Sequence, residues 1–491
     1  MESPSLILCS NRGPLEYAHE GGELRASPAG PGGLVPLVKP VLERLGGLWV
    51  FAASSEADRQ AAAAWPEGTM HGNVRLRLVD LPPEIQRGHY AVISNALLKP
   101  LFHYLLDLAY EPGGEKGIGS TWESYRAVNE RFAAVLAAAR PRGPLLIQDY
   151  HLMLVGAALA RLDPESPRSR HYFHHVPWCE PEYFSVLPAR TRTELLAGAL
   201  SHDTVAFHAA RWAGAFGRCC EAFLPGASFD GHAVAWAGRT VPVLVAPGTV
   251  DVPGLAKQAC SEPVGRLRAE LAARAAGRWM LVRVDRIDRW KNQLRGFLAF
   301  EELLVRRPEL RELAWFLAIL TRSRTASSVE RDYERACLEV VERVNEGSRA
   351  GTGPGAEPIT VLVNDDPASD DRPRSLAAMR LADAALVNPL YDGMNLVAKE
   401  VAAVSERDAV LILSRNAGAY DELAGAALGI NPFDVAETAD AIEAAFDASA
   451  SERAGRAADL LRSVESSRPE DWVRLQIEAA TASGGRSHKL A

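Results

Sequence analysis

The sequence predicts an α/β protein in which two doubly wound parallel sheets face each other across a cleft. Three observations predict it. Short apolar runs alternate with longer helix-forming stretches, the order that βαβ units produce. Several of the runs are apolar throughout, as strands become when helices cover both faces of a sheet. The alternation then restarts. A segment punctuated by Pro and Gly, 241–255, is followed by a fresh strand near Trp279, which sets a domain boundary near residue 247.

The elements follow in order. Strands are expected at 6–10, 48–54, 74–80, 145–150, 171–177 and 204–209 in the first half, and at 279–285, 315–320, 360–365, 384–389 and 409–414 in the second. Helices lie between them. In 123–140, Tyr125, Val128, Phe132, Val135 and Leu136 recur at helical spacing and make one apolar stripe. The stretches 345–358 and 365–373 read as loops. The expected organisation is an N-terminal domain at 1–246 and a C-terminal domain at 247–468. A last helix, 469–484, packs back on the first domain. Ligands of such sheets bind at the carboxyl ends of the strands.

Composition narrows the class. The 491 residues are 47% hydrophobic and 24% charged, enough for a large core without disulfides or metals. A net charge of −8 argues against nucleic acid and anionic membrane as partners, since both select a basic face. The six cysteines form no CxxC and read as reduced, buried thiols. The apolar stretch 6–9 is too short for a signal peptide, and no run reaches the roughly 18 residues of a membrane span. A cytoplasmic location is expected. The final KLA reads as a vector remnant.

Five motifs stand within or at the ends of expected strands. Arg12 follows the first strand, and Gly30, Gly32 and Gly33 precede a helix. Together they suit a phosphate; a turn and an ion-paired arginine are the alternative. In VRVDRIDRWKNQ, Arg286 and Lys291 can neutralise a diphosphate leaving group, or pair with Asp285 and Asp288. Asp149, in QDYHL, can hold sugar hydroxyls or cap a helix. His174 and His175 are neighbours in a strand, so at most one faces the cleft. In DGMNLVAKE, Asp392 and the amides of Gly393, Met394, Asn395 and Leu396 can bind hydroxyls or phosphate. Glu400, two helical turns on, can grip a ribose diol; a structural helix start is the alternative. Neither a zinc-ligand spacing nor a G-x-S-x-G nucleophile occurs.

Jointly, PGGLV, QDYHL, HHVPW, VRVDRIDRWKN, VNPLYDGMNLVAKE, SRNAGAY and NPFDV resemble the trehalose-6-phosphate synthases and their relatives, retaining glycosyltransferases of family 20. The resemblance spans nearly the whole chain. It implies the GT-B fold, two Rossmann-like domains around a cleft, the N-terminal one (1–246) binding the acceptor and the C-terminal one (247–468) the nucleotide sugar, and glucosyl transfer from that sugar without metal or cofactor. Small molecules are then the partners, and a homo-oligomer is compatible with the reading. By motif position, Arg286 and Lys291 look like the diphosphate pair, and Gly33 like the phosphate-contacting glycine. Glu400 looks like the ribose ligand. Asp392 with the amides after it, His175 and Asp149 look like the sugar ligands. On the acceptor side Arg12 and Tyr90 match the family, but Lys99 stands where it has Trp, and Leu105 where it has Arg. Arg324, or else Arg322, is the candidate second phosphate arginine. The implied acceptor is glucose 6-phosphate, giving trehalose 6-phosphate. The alternatives are another phosphorylated acceptor, such as a nucleoside or cyclitol phosphate of a specialised pathway, and a silent sugar-phosphate sensor.

Overall fold

The computed structural model describes the chain apart from residues 1–5, 29–33, 106, 108–114, 140–142, 165–168, 323–327, 353–356, 366–370 and 484–491. It divides into two compact units, one formed by 1–248 with 469–491 and one by 249–468.

The first unit holds a ten-stranded sheet. Its strands are β1 (Leu6–Ser10), β4 (Gly47–Ala52), β5 (Thr69–His71), β6 (Val74–Val79), β7 (Leu145–Gln148), β8 (Arg170–His174), β9 (Thr204–Phe207), β10 (Ser228–Phe229), β11 (Ala233–Trp236) and β12 (Arg239–Val245). A separate hairpin, β2 (Leu15–Glu20) with β3 (Glu23–Pro28), stands outside it. The spatial order is β10-β11-β12-β9-β8-β7-β1-β4-β6-β5. From β12 to β6 the pairing is parallel. From β1 the chain first builds outward through β4 and β6. It then returns to the other side of β1 and builds through β7, β8, β9 and β12. The reversal between β1 and β7 is the topological switch point, where such sheets open a crevice.

The second unit is a six-stranded, all-parallel sheet. Its strands are β13 (Trp279–Arg286), β14 (Ala314–Thr321), β15 (Ile359–Asn364), β16 (Ala384–Val387), β17 (Val410–Ser414) and β18 (Leu428–Ile430), in the order β15-β14-β13-β16-β17-β18. Its switch point lies between β13 and β16. The apolar run of β14 is explained by what covers it. Trp315, Leu317 and Ile319 enter one core cluster, while Phe316, Ala318 and Leu320 enter another on the opposite face. Each large side chain so buried stabilises by roughly 1.5–3 kcal/mol.

The last helix, Pro469–Ser483, belongs to the first unit. Trp472, Val473 and Ala480 join a core with Leu6, Leu8, Trp49 and Phe173, and Trp472 Nε1 donates to Ala246 O at 3.1 Å. The eleven expected strands are present with ends shifted by a few residues. Sequence reading passed over the β2–β3 hairpin, β5, β10, β11, β12 and β18. β12 overlaps the segment 241–255 read as boundary punctuation from its Pro and Gly residues. Among the described residues no helix is long and apolar enough to cross a membrane.

Candidate active site

In the second unit, the loops after β13 and β16 are stitched together. Asn292 adopts φ 62°, and its Nδ2 donates to Asn388 O at 3.0 Å and to Pro432 O at 2.7 Å. Leu390 N donates to Trp290 O at 2.7 Å. Beneath them lies Arg283, a fully buried arginine within β13. It reaches Asp285 at 2.9 Å, Asn388 Oδ1 at 2.8 Å and the carbonyl of Lys291. A buried guanidinium is tolerated only when its donors are met. Here that requirement fixes the position of the Lys291 loop.

Lys291 stands above this platform. Its Nζ lies 2.6 Å from Asp392 Oδ2 and 3.9 Å from Asp285 Oδ1. Burial disfavours its ammonium, but the two carboxylates more than offset this, and its pKa rises above the usual lysine value. Asp285 is pushed up by burial, against the pull of Arg283 and Lys291. Arg286 is half exposed, with Nη2 3.0 Å from the buried Asp288. Asn395 Nδ2 donates to the same Asp392 oxygen at 3.1 Å. Asn395 also caps the helix Leu396–Val404 from a left-handed conformation, φ 76°.

The segment Asp392–Met394 is pinned from the far side. Gly418 N donates to Asp392 O at 3.1 Å and Ala419 N to Met394 O at 2.8 Å. The approach is so close that a Cβ on Gly418 would sit 2.0 Å from Gly393 O. Glu400, on the helix, pairs with Arg372 at 2.9 Å. Thus Arg286, Lys291, Asp392 and the amides of Gly393 to Leu396 gather at the switch point, with Glu400 on the helix they lead into. Two cations and a row of amides suit an anion with attached hydroxyls.

In the first unit, Asp149 ends β7 at its switch point, with φ 75° and ψ 163°. A side chain is strained there, which costs on the order of 1–3 kcal/mol. The carboxylate accepts from Tyr150 N at 3.0 Å and His175 N at 3.3 Å. Burial pushes Asp149 up to about 7, against those two amides and the charge of Lys99. Asp149 Oδ2 is 3.7 Å from His151 Nδ1. Burial holds His151 well below the usual histidine value, and the nearby charges of Lys99 and Arg12 act in the same direction. Tyr90 stacks on His151 at 5.9 Å. Lys99 is thus within electrostatic reach of Asp149 and His151. Arg12, after β1, is within electrostatic reach of His151 and pairs with Glu16 at 3.1 Å.

His174 and His175 diverge as strand neighbours must. His174 is buried against Tyr172, Phe102 and Trp178. His175 turns to Gln148 Oε1 at 2.7 Å and His208 Nε2 at 3.1 Å. Leu105 is buried. Arg322 is held by Glu334, at 2.6 Å, and Asp365. Gly33 and Arg324 lie outside the described residues. Sequence reading missed Arg283, Asn292, Asn388, Gln148 and His208. Arg283 left a signal, a charge inside an apolar strand; the others left none. Among the described residues no group of three or more His, Cys, Asp or Glu is arranged to hold a metal ion.

Comparison with known proteins agrees with this architecture. Residues 4–482 match the family model Glycosyltransferase family 20. The bifunctional trehalose-6-phosphate synthase/phosphatase of Thermoproteus tenax is 35% identical over 92% of this chain, which spans 60% of that relative. Validamine 7-phosphate valienyltransferase of Streptomyces hygroscopicus subsp. jinggangensis is 31% identical over 98% of this chain and 95% of its own. A solved structure described as trehalose-6-phosphate from E. coli bound with UDP-2-fluoro glucose superposes with a TM-score of 0.81. It is 26% identical and covers 98% of this chain and 99% of its own. With the GT-B fold of these structures and a family match over almost its full length, this chain belongs to glycosyltransferase family 20.

Proposed function

We infer that the protein is a metal-independent, retaining glycosyltransferase. It moves glucose from a nucleoside-diphosphate-glucose to glucose 6-phosphate, giving trehalose 6-phosphate, and needs no cofactor. The observation that carries the reading is the Lys291–Asp392 contact at the switch point of the second unit, with Arg286 on the same loop. A diphosphate that draws Lys291 away from Asp392 leaves that carboxylate to a sugar hydroxyl. The acceptor hydroxyl then bonds to the anomeric carbon on the face from which the diphosphate departs. The anomeric C–O bond breaks, and the departing phosphate oxygen takes the acceptor's proton. Arg286 and Lys291 offset the charge that develops there. No side-chain nucleophile is required. Glu400, held by Arg372, is the ribose ligand in this reading, and the cytoplasm its location. The donor analogue named for the E. coli structure supports uridine as the base.

One observation favours a second reading, the same donor chemistry with another phosphorylated acceptor. Lys99, within electrostatic reach of Asp149 and His151, stands where the family carries a flat tryptophan. A cation there suits an acceptor with more negative charge. A relative of similar length named for validamine 7-phosphate and valienyl transfer supports variation in substrates among similar chains. Incubation with UDP-glucose or GDP-glucose and a panel of sugar, cyclitol and nucleoside phosphates separates the readings. Trehalose 6-phosphate as the fastest product supports the first. Faster use of another phosphate supports the second, and Lys99→Trp should then shift preference toward glucose 6-phosphate. Failure to release nucleoside diphosphate with any acceptor overturns both and leaves a silent sensor.

A further inference from the structure

A chain of hydrogen bonds runs beneath the sugar-site residues of the first unit. It begins at Gly248 N–H, a group that can only donate, which points at His208 Nδ1 at 3.1 Å. His208 Nδ1 is therefore the accepting nitrogen, and the proton of this neutral ring sits on Nε2. His208 Nε2 lies 3.1 Å from His175 Nδ1. That nitrogen must accept in turn, so His175 carries its proton on Nε2, which lies 2.7 Å from Gln148 Oε1. Gln148 Nε2 continues to Gln476 Oε1 at 3.2 Å, on the last helix. Gln148, His208 and Gln476 are buried. Burial, with His208 adding, holds the His175 imidazolium form well out of reach near neutral pH. The glycine at 248 is needed: a Cβ there would come within 2.9 Å of His208 Cε1.

We propose that His208 is a positioning residue for the transfer reaction, which fixes His175 as the Nε2–H tautomer so that a donor-sugar hydroxyl reaching His175 meets a proton donor and must displace Gln148. The proposal rests on the reading of His175 as a sugar ligand, but its direct test does not. The His175 tautomer is read by 15N NMR of histidine-labelled protein, without any substrate. In the parent, Nδ1 should be bare and Nε2 protonated. In His208→Phe only the Gln148 contact still selects a tautomer, so the Nδ1-protonated form should become populated. His208→Gln keeps an N–H donor at the Nε2 position and should retain the parent tautomer. With nucleotide sugar, His208→Phe should lower kcat/KM for the donor by about tenfold, the worth of one hydrogen bond. His208→Gln should recover most of that loss. A parent spectrum with the His175 proton on Nδ1 overturns the proposal. So does a His208→Gln variant that loses as much rate as His208→Phe. If His208→Phe does not fold, the parent spectrum still decides. A parent spectrum as expected in a protein without transfer activity would instead sink the functional reading alone.

Discussion

Asp149 is the place where the structure makes a quantitative claim about pH. In the unfolded chain its carboxyl has the ordinary value of 3.8; in the fold, burial raises it to about 7. The folded state therefore binds more protons than the unfolded state between these values. For an acid raised on folding, no penalty exists well below 3.8. The penalty grows as pH rises and is complete above about 7. The full gap of about 3 units is worth about 4 kcal/mol at pH 8, and about 2 kcal/mol of it is already present at pH 5. Asp149→Asn removes the charge while its side-chain oxygen still accepts the amides of Tyr150 and His175. Asn also tolerates positive φ better than most residues. The variant should be more stable than the parent at pH 8, by up to about 4 kcal/mol, and the advantage should shrink by roughly half at pH 5. Urea unfolding of both proteins across pH 5 to 8 measures this. A difference that stays constant with pH would refute the assignment of the penalty to the Asp149 charge.

Two further substitutions probe the second unit. Lys291→Ala should slow glucosyl transfer on the order of a hundredfold, since it removes a cation from the leaving group, and should also destabilise the fold, since Asp392 and Asp285 lose their ammonium. Steady-state kinetics within threefold of the parent would count against the donor reading. Gly418→Ala places a methyl against Gly393 O, so it should cost about 1–3 kcal/mol of stability and raise KM for the nucleotide sugar by displacing the amide row. A melting curve and KM both at parent values would show that the row does not depend on this packing.

Much of the fold was legible in the sequence, for a physical reason. Strand 314–321 is covered on both faces, so burial writes itself into nearly every position. The β2–β3 hairpin was legible in a different way and was passed over. Gly21 and Gly22, at φ 61° and 87°, are a glycine pair between strand-length runs, but those strands are largely exposed and carry no apolar run. At the site, residues on strand-end loops could be singled out because the topology places strand ends together. Their supports could not. Asn292 and Asn388 meet across 96 residues, and a single sequence holds no trace of such a pairing. Lys99 shows the same limit. Its departure from the family pattern was visible, while its electrostatic reach to Asp149 links residues 50 apart that no residue pattern joins.

The docking of the last helix bears on how the molecule is made. The first unit's core contains Trp472, Val473 and Ala480, so it stays open until residue 480 has left the ribosome. The second unit is one continuous stretch, 249–468, and has every residue it needs earlier. The unit begun second is therefore the first that can close, and the apolar face under the helix is exposed throughout synthesis. Such exposed surface invites aggregation while it lasts, so growth temperature and chaperone supply should affect yield.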